Sequence, residues 1–274
     1  MPLDYIPGRV VSLQPSATQI LDCLGLMDRV VACTRHCIFV CPGAAGKQVV
    51  EDSWTARSTE ITAAKPDLVI AAVPFQAAAM EQILKSGARL LALAPRTLVD
   101  IYGDIATISN LFSRGDAGAD LIAFMQREIG AVRRRLLDAG ADSRPLVHCE
   151  EWGKPILRAQ PWIAELVEAA GGRFLGEPTL ETTAEQVAAA DPEIIIAAWC
   201  GTGDRVPLEK IVAERGWQRL RAVREGRVYC VCDELLTTPA PILTRGLHSL
   251  AAAIHPEVFG KAEGLRGIGR QTPN

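Results

Sequence analysis

Short apolar runs alternate with helical patterns along the whole chain. In the first half the runs are Arg9–Leu13, Arg29–Cys33, Asp67–Ala72 and Arg89–Leu93, with helices predicted over Ala17–Leu24 and Ala77–Lys85. The runs are rich in Val, Ile and Leu and lack polar alternation, as parallel strands covered on both faces require. The second half repeats the grammar with Leu146–Cys149, a helix over Ile163–Ala170, Arg173–Leu175, Glu193–Trp199 and Arg227–Val231. A local echo links the halves. Ala63-Ala64-Lys65-Pro66-Asp67-Leu68-Val69-Ile70-Ala71 matches Ala189-Ala190-Asp191-Pro192-Glu193-Ile194-Ile195-Ile196-Ala197, each reading helix end, proline stop, acid, buried strand. Two copies predict two similar α/β lobes rather than a solenoid.

Between the lobes, Leu121, Ile122, Met125, Ile129, Val132, Leu136 and Leu137 recur at helical spacing over Asp116–Ala139. That predicts a helix of roughly 24 residues, about 36 Å long. The division expected is an N-terminal α/β lobe over 1–113, a bridging helix over 114–139 and a C-terminal α/β lobe over 140–274. Gly115 and Gly140 bracket a bridge with no internal proline, so the lobes are expected to rock rather than swing. The tail after Gly264, with Gly267, Gly269 and Pro273, reads as loose.

Composition narrows the function classes. The 274 residues are 49% hydrophobic and 22% charged, with a formal net charge of −3. Without a long basic run, nucleic acid and anionic membrane are not expected partners. Arg133-Arg134-Arg135 reads as a solvated helix face. Met1–Pro7 has no signal-peptide pattern, and no stretch approaches the ~20 apolar residues of a membrane span. The expectation is a cytoplasmic protein without membrane insertion, whose eight cysteines are free thiols or metal ligands.

Six of those cysteines fall near predicted strand ends: Cys37 and Cys41, Cys149, Cys200, and Cys230 and Cys232. In open parallel sheets ligands bind at the carboxyl ends of the strands. Thiolates prefer zinc, cuprous copper and iron–sulfur clusters. The metal ligands expected are therefore Cys37, Cys41, Cys149, Cys200 and Cys232, with His36 as an imidazole donor. So many thiols exceed the needs of one tetrahedral ion and favour an Fe–S cluster over a single Fe, Zn or Cu. Cys23, Cys33 and Cys230 read as packing. Trp152 and Trp199 offer flat apolar surface for a planar ligand; Ser16 and Thr18 stand where a helix is capped or an anion touched. Glu150, Glu151, Asp204 and Arg205 are rim candidates, and Glu151 is taken with Trp152, Trp199 and Ser16 as the cofactor-binding set. No G-x-S-x-G elbow, P-loop or H-E-x-x-H is present. A thiol enzyme would have to pair Cys37 with His148.

The opening Arg9-Val10-Val11-Ser12-Leu13-Gln14-Pro15-Ser16-Ala17-Thr18, with Leu24-Gly25-Leu26 and Asp28-Arg29-Val30-Val31, resembles the cobalamin and siderophore class of substrate-binding proteins. Pro66–Ile70, Pro161-Trp162, Ala170-Gly171-Gly172, Pro239-Ala240-Pro241-Ile242 and His255-Pro256-Glu257-Val258-Phe259 add to the likeness; the last is similar to a signal-less cobalamin-binding branch, as are Arg35-His36-Cys37 and Trp199-Cys200-Gly201. The resemblance implies two Rossmann-like lobes with parallel sheets joined by one long helix, the class III binding-protein fold. It also implies a non-catalytic protein gripping a metal-containing small molecule between lobes, with an ABC transporter or a cofactor-delivery protein as partner. Gln19 departs from the family's usual glutamate, and Val73-Pro74-Phe75 from the cysteines of many signal-less relatives. The first expectation is thus a thiolate-bound cluster; a corrinoid or other chelate is the alternative.

Overall fold

The computed structural model describes residues 5–268. Its first sheet holds β1 (Val10–Ser12), β2 (Val30–Cys33), β3 (Gln48–Val49), β4 (Leu68–Ala72) and β5 (Arg89–Leu93) in the order β3-β2-β1-β4-β5. Every pairing is parallel. β4 is buried at all five positions, which is why its sequence shows no polar alternation. Val11, Leu13, Ala32, Val69 and Ala71 pack with Ile61 and Ile83 from the flanking helices Ser58–Ala63 and Ala77–Lys85.

The second sheet is longer and mixed. Its strands are β6 (Leu146–Gly153), β7 (Ile156–Arg158), β8 (Arg173–Phe174), β9 (Glu181–Thr182), β10 (Ile194–Ala197), β11 (Val228–Val231) and β12 (Leu265–Gly267). The order is β12-β11-β10-β6-β7-β9, with β8 also pairing β6. β10 runs parallel to β6 and β11, while β7, β9 and β12 are antiparallel to their neighbours. Two expectations change here. The stretch after Gly264 forms β12, because Leu265 and Arg266 pair with Val231 and Cys230; Gly269 and Pro273 lie outside the described residues. β6 continues past Cys149 to Gly153, because β7 turns back and pairs with Glu150–Gly153.

The helix Gly115–Asp138 carries the chain from one compact unit, up to Phe124 plus Pro239–Pro241, into the other. A second long helix, Leu98–Leu111, was not predicted, although Thr97 and Asp100 form a full capping box at its start. The sequence echo has a structural counterpart in both units. Lys65 and Asp191 are left-handed residues, φ 49° and 41°, each directly before the proline that stops its helix. The acid after that proline then anchors the neighbouring strand. Asp67 accepts the Gly8 and Arg9 N–H groups ahead of β1 at 2.8 and 3.0 Å, and Glu193 accepts the Leu146 N–H opening β6 at 3.2 Å.

Candidate functional site

A half-open cavity of about 330 Å³ lies within the second unit, at the carboxyl ends of β6 and β10. Trp152, Gly153, Trp199, Pro207 and Ile211 give it apolar walls, with Cys200 and Thr202 beside them. Lys154 and Lys210 stand at its edge, 3.5 and 3.7 Å from Glu214. Trp152, which pairs with Leu157 of β7, remains 48% exposed, and its indole N–H donates to the Lys154 carbonyl at 3.0 Å.

Trp199 is held from behind. Its indole N–H donates to Glu150 Oε1 at 2.9 Å. Its ring packs so closely on Gly153 that an added Cβ would lie 2.2 Å from a ring carbon. Arg215 donates to both Glu150 oxygens, at 3.0 and 2.8 Å, and to the Gly153 carbonyl at 3.1 Å. The same guanidinium sits 4.7 Å from the Trp217 ring centre and 6.0 Å from that of Trp199. His148 Nε2 meets Glu150 Oε2 at 3.0 Å, which leaves the buried His148 Nδ1 without a protein partner. Burial alone would push the fully buried Glu150 carboxyl upward. The His148 hydrogen bond and charge, with the Arg215 guanidinium, overcome this and hold it below the usual carboxylate range.

Asp233 fixes the loop that follows Trp199. Its carboxylate, 4% exposed, accepts the Gly201 and Gly203 N–H groups, each at 2.7 Å. Both glycines have positive φ, 80° and 61°, so the loop can turn both N–H groups onto one side chain.

Glu151, next to the network, behaves differently. Burial pushes its carboxyl up to about 7, against the hydrogen bond it accepts from Gln160. A carboxyl raised in the folded state binds protons that the unfolded chain has released. Stability therefore falls as pH rises from the ordinary 4.5 to about 7. Glu151→Gln removes that slope. Thermal midpoints measured from about pH 5 to about pH 8 should fall for the wild type and stay flatter for the variant, which melts higher at the alkaline end.

Of the expected ligand-contacting residues, Trp152 and Trp199 line the cavity and Glu151 adjoins Trp152 in β6. Ser16 is buried in the first unit, in the helix Pro15–Cys23. Neither Ser16 nor Thr18 caps that helix, whose N-cap is Gln14; the Thr18 hydroxyl donates to Ser12 Oγ at 2.8 Å.

The thiols do not form the expected centre. Among the described residues, no group of three or more His, Cys, Asp or Glu side chains is placed to hold a metal ion. Cys149 is mid-strand and fully buried, with burial driving its thiol far above the ordinary range. Cys37 and Cys41 are buried around the helix Arg35–Val40, whereas His36 on that helix is exposed. Cys200 sits on an exposed turn, and Cys232 bonds to Glu234 Oε2 at 3.5 Å. Cys230 packs with Ile195, Val212 and Trp217. Small apolar volume explains most of these positions. The residues that sequence reasoning undervalued are Glu150, read as rim, and Arg215, Gly153 and Asp233, which carry no local signal of a shared site.

Two α/β units with parallel central strands and one long helix define the class III substrate-binding fold. The chain belongs to the periplasmic binding protein family, which it matches over residues 10–235. A cobalamin-binding protein of Halobacterium salinarum is 24% identical over 92% of this chain and 71% of its own length. A vitamin B12-binding protein of Vibrio cholerae is 26% identical over 85% of this chain and 84% of its own. An uncharacterized ABC transporter substrate-binding lipoprotein of Bacillus subtilis is 24% identical over 92% and 82%. Among solved structures, a periplasmic heme-binding protein of Pseudomonas aeruginosa shares the fold with a TM-score of 0.86 at 20% identity, covering 98% of this chain and all of its own.

These findings correct two expectations. The cytoplasmic placement is overturned, since the family is periplasmic and the Bacillus relative a lipoprotein. The Fe–S reading is overturned by relatives named for cobalamin and vitamin B12 and by the missing ligand set. Among the described residues no helix is long and apolar enough to cross a membrane.

Proposed function

We propose that this chain is the extracytoplasmic substrate-binding protein of an ABC-type importer and that its substrate is a corrinoid or a similar large metal chelate. The observation that carries the reading is the two-tryptophan cavity of the second unit, where Trp152 and Trp199 present indole surface beside Pro207 and Ile211. Such walls suit the flat apolar face of a macrocycle, and the Lys154–Glu214–Lys210 edge suits its polar substituents. At about 330 Å³ the cavity takes one edge of such a chelate rather than the whole. The cobalamin- and B12-binding relatives support this substrate class.

Titration of the full chain with cyanocobalamin and, separately, with hemin tests the reading through absorbance and tryptophan quenching. Saturable corrinoid binding is expected. Trp152→Ala and Trp199→Ala should each lose roughly thirtyfold in affinity, about 2 kcal/mol for removing a buried aromatic contact. Saturation by hemin alone would replace the corrinoid with a porphyrin. Binding of neither, or binding indifferent to both tryptophans, would sink the proposal.

A further inference from the structure

The charged side chains on the lining of the second unit's cavity are Lys154, Lys210 and Glu214. Lys210 and Glu214 stand one turn apart on the helix Leu208–Glu214, and Lys154 lies in the turn between β6 and β7. Hydrogen bonds tie these two elements together. Arg215, directly after the helix, donates to the Gly153 carbonyl at 3.1 Å, and the Lys154 carbonyl accepts the Trp152 indole N–H. Both ammonium groups are thereby brought to one rim. Lys154 Nζ lies 3.5 Å from Glu214 Oε2, and Lys210 Nζ lies 3.7 Å from Glu214 Oε1.

These separations exceed the usual N–H···O range, so each ammonium keeps protons for a further acceptor. Two cations share one anion, which leaves the rim with an uncompensated positive charge on a chain whose formal net charge is −3. Behind the wall, Glu150 and Arg215 neutralise each other at 2.8 Å. A ligand carboxamide at this rim accepts an ordinary hydrogen bond. A ligand carboxylate accepts a charge-assisted one, roughly twice as strong, and gives each lysine a counter-ion of its own.

We infer that the chelate taken by this cavity bears free carboxylates on its periphery, and that Lys154 and Lys210 select it over a fully amidated ring. This selectivity rests on the corrinoid reading above and adds the charge of the side chains. The Lys154, Lys210 and Glu214 side chains are 86%, 67% and 47% exposed, so water and salt screen the gain. Each lysine should contribute about fivefold in affinity, the upper range of an exposed ion pair. Glu214 acts in the opposite sense, because it competes with the ligand carboxylate for both ammonium groups.

The full chain is titrated at low salt with dicyanocobinamide, whose side chains are amides, and with dicyanocobyrinic acid, whose side chains are carboxylates. The quantity read is the ratio of the two dissociation constants. The wild type should favour cobyrinic acid by roughly tenfold or more, and high salt should shrink that preference. Lys154→Gln and Lys210→Gln should each lower the ratio about fivefold, whereas Glu214→Gln should raise it. A general disturbance of the cavity would weaken both probes together and leave the ratio unchanged, so opposite shifts mark selection by charge. A wild-type ratio near one, or a ratio that none of the three substitutions moves, overturns the selectivity while the corrinoid reading stands. Binding of neither probe overturns both.

Discussion

Glu150→Ala should destabilise the second unit by about 3–5 kcal/mol, the largest effect expected of any single substitution in the site. The cost comes from what remains. Arg215, with a side chain only 10% exposed, keeps its charge without a counter-ion. The Trp199 N–H and the His148 Nε2 also lose their partner. Breaking a buried pair by removing one member costs about 3–5 kcal/mol, and roughly 6–20 °C in melting temperature for a unit of this size. Trp54 is the first unit's tryptophan and is exposed, so denaturation followed by fluorescence in a Trp54→Phe background reports on the second unit alone. Acid pH should reproduce part of the loss. The folded carboxyl lies below its ordinary 4.5, so its contribution is complete above that value and disappears as pH falls through the depressed one. Glu150→Gln should lack this acid limb. An unchanged midpoint for Glu150→Ala would mean the network contributes nothing to folding.

Gly153→Ala should cost less stability and more function. The added methyl occupies the space of the Trp199 ring, and Trp199 cannot simply rotate away while Glu150 holds its N–H. Overpacking of this kind costs about 1–3 kcal/mol. Displacing the indole from the cavity wall should weaken chelate binding at least as much as Trp199→Ala does, roughly thirtyfold. Near-ultraviolet circular dichroism should change with it, because Trp199 leaves the neighbourhood of Arg215 and Trp217. Wild-type affinity in a folded Gly153→Ala protein would remove Trp199 from the binding surface.

The architecture was legible because buried parallel strands write themselves as unbroken Val, Ile and Leu runs, as Leu68–Ala72 and Ile194–Ala197 do. The sequence singled out Trp152 and Trp199 as flat apolar surface for a planar ligand, and the structure places both along one cavity. The centre of the site was not legible. Glu150 looks like any polar residue following a strand until Arg215 arrives from 65 positions away, and no local pattern announces that meeting. The cysteines misled for a related reason. Cys149 seemed to end its strand because the antiparallel return of Ile156–Arg158, which extends β6, depends on a turn rather than on periodicity. Once inside a strand, a thiol is a small apolar filler. The compartment was misjudged from Met1–Pro7, a stretch too short to outweigh the rest of the chain.

The anchoring acids Asp67 and Glu193 sit at the amino ends of their strands, whereas the cavity opens at the carboxyl ends of β6 and β10. In the second sheet, the anchoring by Glu193 and the proposed recognition surface therefore fall on opposite rims. A protein engineer could exchange the turn at 153–155 and the loop at 199–206 to re-aim the specificity while leaving both acids in place. The converse exchange, Glu193→Ala, should loosen the start of β6 and leave the choice of ligand untouched.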